Sequence, residues 1–187
     1  DKIYNKFGED KFSLIRKSLT FFELFFQFYY TKALPFSNLY KQSKELLKKE
    51  KFERLIISGN PFIQFKFGYL LNKKFNIKWI ADYRDAWSTT EIYDTDSTVL
   101  RRFIHRLDCK FEKKWVSTAH KISASSGPIG KSIEKITGVE SFPLYNGINF
   151  DDFNKVRTLE KRKKFTITYI GSLYDGQKIE FFCEAFK

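Results

Sequence analysis

Two carboxylates and a guanidinium lie close together in the chain, at Asp82, Arg84 and Asp85. They follow a short apolar run that is typical of a buried strand. A carboxylate in that position could orient a substrate hydroxyl or take its proton, and the arginine could hold a phosphate through two parallel hydrogen bonds. The same residues could instead form an ion pair that only fixes a turn, with Trp87 in the core. The residues alone leave both interpretations open.

Polar residues and glycines also occupy three turns between a predicted strand and a predicted helix. Backbone N–H groups at the start of a helix attract anions and sugar hydroxyls, and glycine lets the backbone approach a phosphate closely. Helix capping is the alternative role for each serine. Neither GxxxxGK(S/T) nor GxGxxG, the glycine-rich nucleotide motifs, occurs in the chain. The candidate binding residues in these turns are Ser58, Gly59, Asn60, Ser125, Gly171 and Ser172, with Lys178 as a nearby cation.

The elements that must position these residues alternate between strand and helix. Short apolar runs bounded by turn residues predict strands at 54–58, 77–81, 120–124 and 141–144. Apolar residues at helical spacing predict helices at 37–50, 61–74 and 97–115, and a further helix from residue 126. This alternation predicts an α/β fold with a mainly parallel sheet and helices on both faces. Ligands of such sheets bind beyond the carboxyl ends of the strands, where the candidate residues lie.

A second unit is predicted near the end of the chain. Residues 151–164 are polar and end in a basic run, as a linker does, and residues 165–170 alternate like a new strand before a helix at 177–187. One strand and one helix cannot bury their own apolar faces. The sequence therefore predicts a domain at 1–155 that lacks its first strands, and at 156–187 a linker with the beginning of a second domain. On this interpretation the chain is a fragment.

The chain carries a formal net charge of +12 over 187 residues. This charge favours an anionic partner, which could be a phosphorylated metabolite, an anionic membrane surface or a nucleic acid. A basic surface that serves only solubility is the alternative. No helix-turn-helix, RNA-recognition or zinc-finger signature points to nucleic acid. With two cysteines, two histidines and no CxxC motif, we expect no structural zinc site and a reducing compartment.

The segment 12–30 is predicted to be a helix that is apolar almost all round. Such a helix is either buried in the core or docked on a lipid surface, and the sequence leaves both open. No apolar run reaches the roughly 18–20 residues of a membrane-spanning helix, and the start of the chain has no signal-peptide pattern. We therefore expect a cytoplasmic protein, with the inner face of the plasma membrane as a candidate docking surface.

Five segments within residues 54–187 resemble, in order and spacing, the glycosyltransferases of family 4, which have the GT-B fold. The two most specific are the DYRDAW segment within 79–87 and the TYIGSLYDG segment within 165–176. The other three are the turn at 55–62, the strand at 119–125 and the Asn-Gly segment at 144–149 with Phe153.

This resemblance implies two Rossmann-like domains that face each other across a cleft. The first would hold the acceptor, and the second would hold a nucleotide-diphosphate sugar. The implied reaction retains the anomeric configuration, needs no metal or other cofactor, and builds cell-surface polysaccharide or lipopolysaccharide. Asp82, Arg84 and Asp85 are then the catalytic candidates, and Asn146 joins the binding candidates. The expected partners are a nucleotide sugar and a glycan or lipid-linked acceptor, with an anionic membrane surface as a further candidate and no nucleic acid.

The sequence departs from the family pattern in the second unit. Ser172 stands where many members have arginine, so Lys178 becomes the candidate for the basic residue that grips the diphosphate. The paired glutamates of the donor domain would lie beyond residue 187, and we expect this chain alone to be inactive. Two other functions stay open: a non-catalytic basic module that binds anionic membranes or nucleic acid, and a GT-B epimerase of nucleotide sugars.

Overall fold

The structure, a computed structural model, describes residues 19, 22, 25–30, 36–89, 99–151, 163–173 and 178–186. Within these ranges the chain alternates between helices and strands. The helices are α1 (Ser37–Lys49), α2 (Phe65–Phe75), α3 (Val99–Val116), α4 (Gly127–Thr137) and α5 (Ile179–Ala185), with a 3₁₀ helix at Phe62–Gln64 before α2. The strands are β1 (Arg54–Ser58), β2 (Lys78–Tyr83), β3 (Lys121–Ala124) and β4 (Ser141–Pro143).

The four strands form one sheet in the order β1-β2-β3-β4, and every neighbouring pair is parallel. The register places Ser58 opposite Asp82, and Asp82 opposite Ser123. The predicted α/β class and the mainly parallel sheet are therefore confirmed, and the arrangement is compatible with a Rossmann-like fold.

Helices α2, α3 and α4 pack on the same face of this sheet. Trp79 and Tyr83 point to that face, where the ring of Trp79 lies beside Phe65 of α2 and the hydroxyl of Tyr83 bonds to Glu112 of α3. Right-handed crossovers that all step in one direction place every connecting helix on one side. Ile56, on the opposite face, is 70% exposed. In the part of the chain that the structure describes, the prediction of helices on both faces is therefore not confirmed.

Aromatic side chains fill the space between the sheet and the helices. Trp87 stacks on Phe62 with 5.5 Å between ring centroids and lies 6.0 Å from the ring of Trp115. Gly68 of α2 faces the ring of Trp79, and a Cβ atom at Gly68 would lie 2.6 Å from it. This glycine therefore allows α2 to approach β2 closely.

Only part of the predicted helix at 12–30 lies among the described residues. Residues 25–29 are helical, and Phe28 is buried against Phe111, with 4.8 Å between ring centroids. The Nζ atom of Lys66 donates to the carbonyl oxygens of Gln27 and Phe28, at 3.2 and 2.9 Å. The helical end is thus attached to the core, although Phe26 remains 44% exposed. Among the described helices, none has both the length and the apolar character needed to cross a membrane.

The predicted strand at 165–170 does not form. These residues have no strand pairing, and Phe165 and Ile170 are 84% and 92% exposed. A lone strand is not stable without a partner, which explains why the alternating pattern was misleading here. The predicted helix at 177–187 is confirmed as the shorter α5, and Phe165 stacks on Phe186 next to it. The predicted boundary at 155 lies outside the described residues.

Candidate functional site

Three side chains meet at the carboxyl ends of β1, β2 and β3. The register places Ser58, Asp82 and Ser123 side by side, and residues opposite each other in neighbouring strands point to the same face. Ser58 Oγ donates to Asp82 Oδ2 at 2.7 Å, and Ser123 Oγ donates to Asp82 Oδ1 at 2.7 Å. Each oxygen of the carboxylate therefore has a serine partner.

Arg84 completes the shell around this carboxylate. Its Nε atom donates to Asp82 Oδ2 at 3.1 Å, and its Nη2 atom is paired with Asp82 Oδ1. The Asp82 side chain is 9% exposed and the Arg84 side chain is 32% exposed. This two-point contact fixes the plane of the guanidinium and directs its remaining N–H groups.

These surroundings keep Asp82 ionised. Burial alone would raise its pKa, but hydrogen bonds from Arg84, Ser123 and Ser58, together with the charge of Arg84, hold the pKa below its ordinary value. A carboxylate with a lowered pKa is a weak base at neutral pH. The geometry therefore favours a positioning role for Asp82, because its oxygens already have partners.

Arg84 also joins β2 to the segment that follows β4. Its Nη1 atom donates to the carbonyl oxygen of Leu144 and to Oδ1 of Asn146, both at 3.2 Å. These contacts and those to Asp82 use four of the five N–H donors of a guanidinium. A phosphate bound in two-point fashion by Arg84 would have to displace one of these partners. We call Ser58, Asp82, Arg84, Ser123 and Asn146 the Asp82 group.

Asp85 lies next to this group and is exposed. It follows Arg84 directly, so its carboxylate lies at the same edge of the sheet. Asp85 has no hydrogen bond or ion pair to another described residue, in contrast to the fully engaged Asp82. Of the two carboxylates singled out in the sequence, Asp85 is therefore the one accessible to an incoming hydroxyl.

The turns after β1 and β3 are brought to the same edge. The N–H of Gly59 donates to the carbonyl oxygen of Asp82 at 2.8 Å, and the N–H of Ser125 donates to that of Tyr83 at 2.9 Å. Gly59 is buried under aromatic rings, and a Cβ atom there would lie 2.6 Å from Phe62. Asn60 is exposed, with a positive φ of 89°. The backbone N–H groups of Gly59 and Ser125 are thus used in hydrogen bonds to β2, whereas the side chain of Asn60 remains accessible to a ligand.

The remaining predicted residues lie in the C-terminal segment. Gly171, Ser172 and Lys178 are exposed, and Ser172 accepts a 2.9 Å hydrogen bond from Tyr169 through its carbonyl oxygen. No hydrogen bond joins these described residues to the Asp82 group. Their role in binding a donor diphosphate therefore stays a prediction.

A second polar cluster was missed in the sequence. Glu112, a carboxylate in α3, is fully buried. Its Oε1 atom accepts from the hydroxyl of Tyr83 at 2.9 Å, and its Oε2 atom accepts from the N–H of Ser88 at 3.2 Å and from the Ser88 hydroxyl. Asp108, one turn earlier, accepts from Trp87 Nε1 at 3.0 Å. In the sequence, Asp108 and Glu112 are four residues apart and therefore on one face of the helix, beside the apolar Phe111. This spacing could have indicated that both carboxylates face the core.

Burial raises the pKa of Glu112, although the hydrogen bonds from Ser88 and Tyr83 act in the opposite direction. Burial, together with the nearby carboxylate of Glu112, also raises the pKa of Tyr83 well above its ordinary value. Tyr83 therefore remains a protonated donor at neutral pH. Ser123 was also missed as a partner of Asp82, although its place in the sheet register would have indicated it.

Comparison of the chain with models of protein families, with curated proteins and with solved structures gave no match in any of the three. In the part of the chain that the structure describes, no group of three or more His, Cys, Asp or Glu residues is arranged to hold a metal ion.

Proposed function

We propose that this chain is the acceptor-side domain of a glycosyltransferase that uses a nucleotide-diphosphate sugar as its donor. The observation that carries the proposal is the Asp82 group at the carboxyl edge of a parallel sheet, with the exposed Asp85 beside it. That edge is where open α/β sheets bind their ligands. The resemblance of residues 54–187 to GT-B glycosyltransferases of family 4 supports the same function.

In this proposal the carboxylates have different roles. Asp82 orients Arg84, and Arg84 holds the segment with Asn146 against the end of β2. Asp85, which is exposed, accepts a hydrogen bond from the acceptor hydroxyl that attacks the sugar. The donor is held by the second Rossmann-like domain of the GT-B fold, and the anomeric configuration is retained.

The test uses the complete gene product with a panel of uridine-, guanosine- and adenosine-diphosphate sugars and with glycan and lipid-linked acceptors. Release of nucleoside diphosphate is measured. We expect Asp85→Asn to lower kcat by about 100-fold or more, the range of a lost acid–base group, with an unchanged melting temperature because Asp85 is exposed. Asp151→Asn, a matched change at another exposed aspartate, should leave turnover unchanged.

Three outcomes would contradict the proposal. Full activity of Asp85→Asn would remove this residue from the mechanism. Isomerisation of a nucleotide sugar without release of nucleoside diphosphate would indicate an epimerase. Salt-sensitive binding to anionic vesicles or DNA, with no turnover of any donor, would indicate a non-catalytic basic module.

A further inference from the structure

The turn that carries Arg84 and Asp85 is held from both ends by one residue of α3. Tyr83 immediately precedes this turn and Ser88 follows Trp87 at its other end, and both donate to the carboxylate of Glu112. One carboxylate oxygen accepts from each end of the turn. Glu112 therefore bridges the last residue of β2 and Ser88, the last residue of the turn 84–88.

The surroundings of Glu112 show that the bridge is specific. Glu112 and Tyr83 are 0% exposed and Ser88 is 4% exposed. A carboxylate is costly to bury unless it is fully hydrogen-bonded, and the three donors to Glu112 all come from these two residues. Among the described residues no lysine or arginine forms an ion pair with it. A tether that only attached α3 to the sheet would not need an acceptor for both ends of one turn.

Asp108 strengthens the same attachment one helical turn earlier. Its Oδ1 atom accepts from Trp87 Nε1 at 3.0 Å, and Asp108 is 6% exposed. Because residues four apart lie on the same face of a helix, Asp108 and Glu112 face the turn together. The indole of Trp87 also stacks on Phe62. The turn is thus fixed at Tyr83, Trp87 and Ser88, and only its exposed centre is left to contact a ligand.

We infer that Glu112 is a positioning residue that holds Arg84 and Asp85 at the carboxyl edge of the sheet through its hydrogen bonds to Tyr83 and Ser88. This inference rests on the proposed function for the meaning of the position, but the bridge itself can be tested without any substrate. Glu112 acts through the turn and does not contact the ligand.

The substrate-free test is amide hydrogen exchange measured by mass spectrometry on the full chain. Glu112→Ala should speed exchange in peptides covering residues 84–88 by about tenfold more than in peptides covering 127–137, because only the turn loses its anchor. Ile133→Ala, a change at a fully buried residue of α4, is the matched control and should affect residues 127–137 more than the turn. If Glu112→Ala speeds exchange equally in both regions, Glu112 is only a general stabiliser and the inference fails.

Two variants keep the test decisive if Glu112→Ala does not fold. Ser88→Ala removes the hydroxyl donor from the turn side, keeps the backbone N–H and leaves α3 intact, and it should also loosen residues 84–88. Glu112→Gln can still accept from Ser88 and contact Tyr83, so it should retain at least half of the wild-type protection. Wild-type exchange in Ser88→Ala, or less than half of the wild-type protection in Glu112→Gln, would overturn the inference.

The activity measurement separates this inference from the proposed function. Once a donor has been found, Glu112→Ala should lower kcat by about 10-fold with KM changed less than about twofold, and Glu112→Gln should restore it. Wild-type kcat in a Glu112→Ala protein whose turn exchanges fast would overturn the positioning role. If no donor is turned over by the wild type, the proposed function fails, whereas the exchange data still decide whether Glu112 holds the turn.

Discussion

Asp82 and Arg84 illustrate how partners determine the chemistry of a side chain. The sequence offers Asp82 as a base and Arg84 as a phosphate ligand, but the structure uses the pair to connect three strand ends and the segment after β4. The lowered pKa of Asp82 follows from its hydrogen bonds and not from exposure. At this scale the accessible Asp85 is the residue that we propose acts on a substrate.

Lys66 provides a pH-dependent prediction. Its burial and the nearby charge of Lys114 lower the pKa of Lys66 to about 8. Between pH 8 and about 10 the Lys66 amine therefore carries a proton in the unfolded chain and not in the folded protein. The contribution of Lys66 to the free energy of unfolding falls as pH decreases through this window, and it is constant at lower pH. We expect the free energy of unfolding of the wild type to rise by about 2 kcal/mol more than that of Lys66→Met from pH 8 to pH 10.

Urea unfolding at a series of pH values measures this difference. Lys73→Met, at an exposed position of the same helix, is the control and should follow the wild type. Parallel curves for the wild type and Lys66→Met would show that Lys66 has an ordinary pKa in the folded protein.

The sequence predicted some residues of the site and not others for a physical reason. Ser58, Asp82 and Arg84 lie where apolar strands end, and strand ends can be located from composition alone. Glu112 could not be assigned correctly, because it adjoins the apolar stripe of α3 and is buried only when the turn 84–88 folds onto that helix. Burial of this kind depends on a contact between residues far apart in the chain.

At the scale of elements, the contact between α2 and β2 depends on Gly68, which has no side chain. Alanine is a better helix former than glycine by about 1 kcal/mol, so Gly68→Ala would stabilise an isolated helix. In the folded protein the added Cβ would lie 2.6 Å from the ring of the fully buried Trp79. We expect Gly68→Ala to destabilise the protein by about 2 kcal/mol, as overpacking does.

Thermal and urea unfolding check this prediction. Gly127→Ala is the matched control, since no atom lies within 4 Å of the position of its Cβ, and it should change stability by less than about 0.5 kcal/mol. A stabilised Gly68→Ala protein would mean that α2 does not approach β2 as closely as described.

The strand predictions agree with the structure where a neighbouring strand pairs with the predicted segment. Strand β1 has the predicted bounds, whereas β2 continues two residues further because Asp82 and Tyr83 pair with Ser123 and Ala124. The alternating run at 165–170 has the same local pattern but no partner strand in the described part of the chain. Local pattern establishes the tendency to extend, and pairing decides whether a strand forms.

At the scale of the whole molecule, the described residues cover the sheet on one face only, whereas the sequence predicted helices on both faces. Ile56 and Ile57 are adjacent in β1, but Ile56 is 70% exposed and Ile57 packs against the core. Threonine keeps the β-branched shape that suits a strand, so each Ile→Thr change mainly reports lost burial. We expect Ile57→Thr to cost about 2 kcal/mol of stability and Ile56→Thr less than about 0.5 kcal/mol.

Chemical unfolding of the two variants under one set of conditions gives the comparison. An equal loss in both would indicate that the face bearing Ile56 is also covered in the folded protein. A smaller loss in Ile57→Thr than in Ile56→Thr would reverse the assignment of the two faces.

The uniform direction of the strand order limits how this sheet could be extended. A right-handed unit added beyond β4 would place its helix in the existing layer and leave Ile56 in water. A unit whose strand pairs along the outer side of β1, reached by a right-handed crossover that runs back across the sheet, would place its helix over Ile56 and shelter it. Such an addition would also create a crevice between neighbouring strand ends beside Ser58, with the serine hydroxyl at its wall.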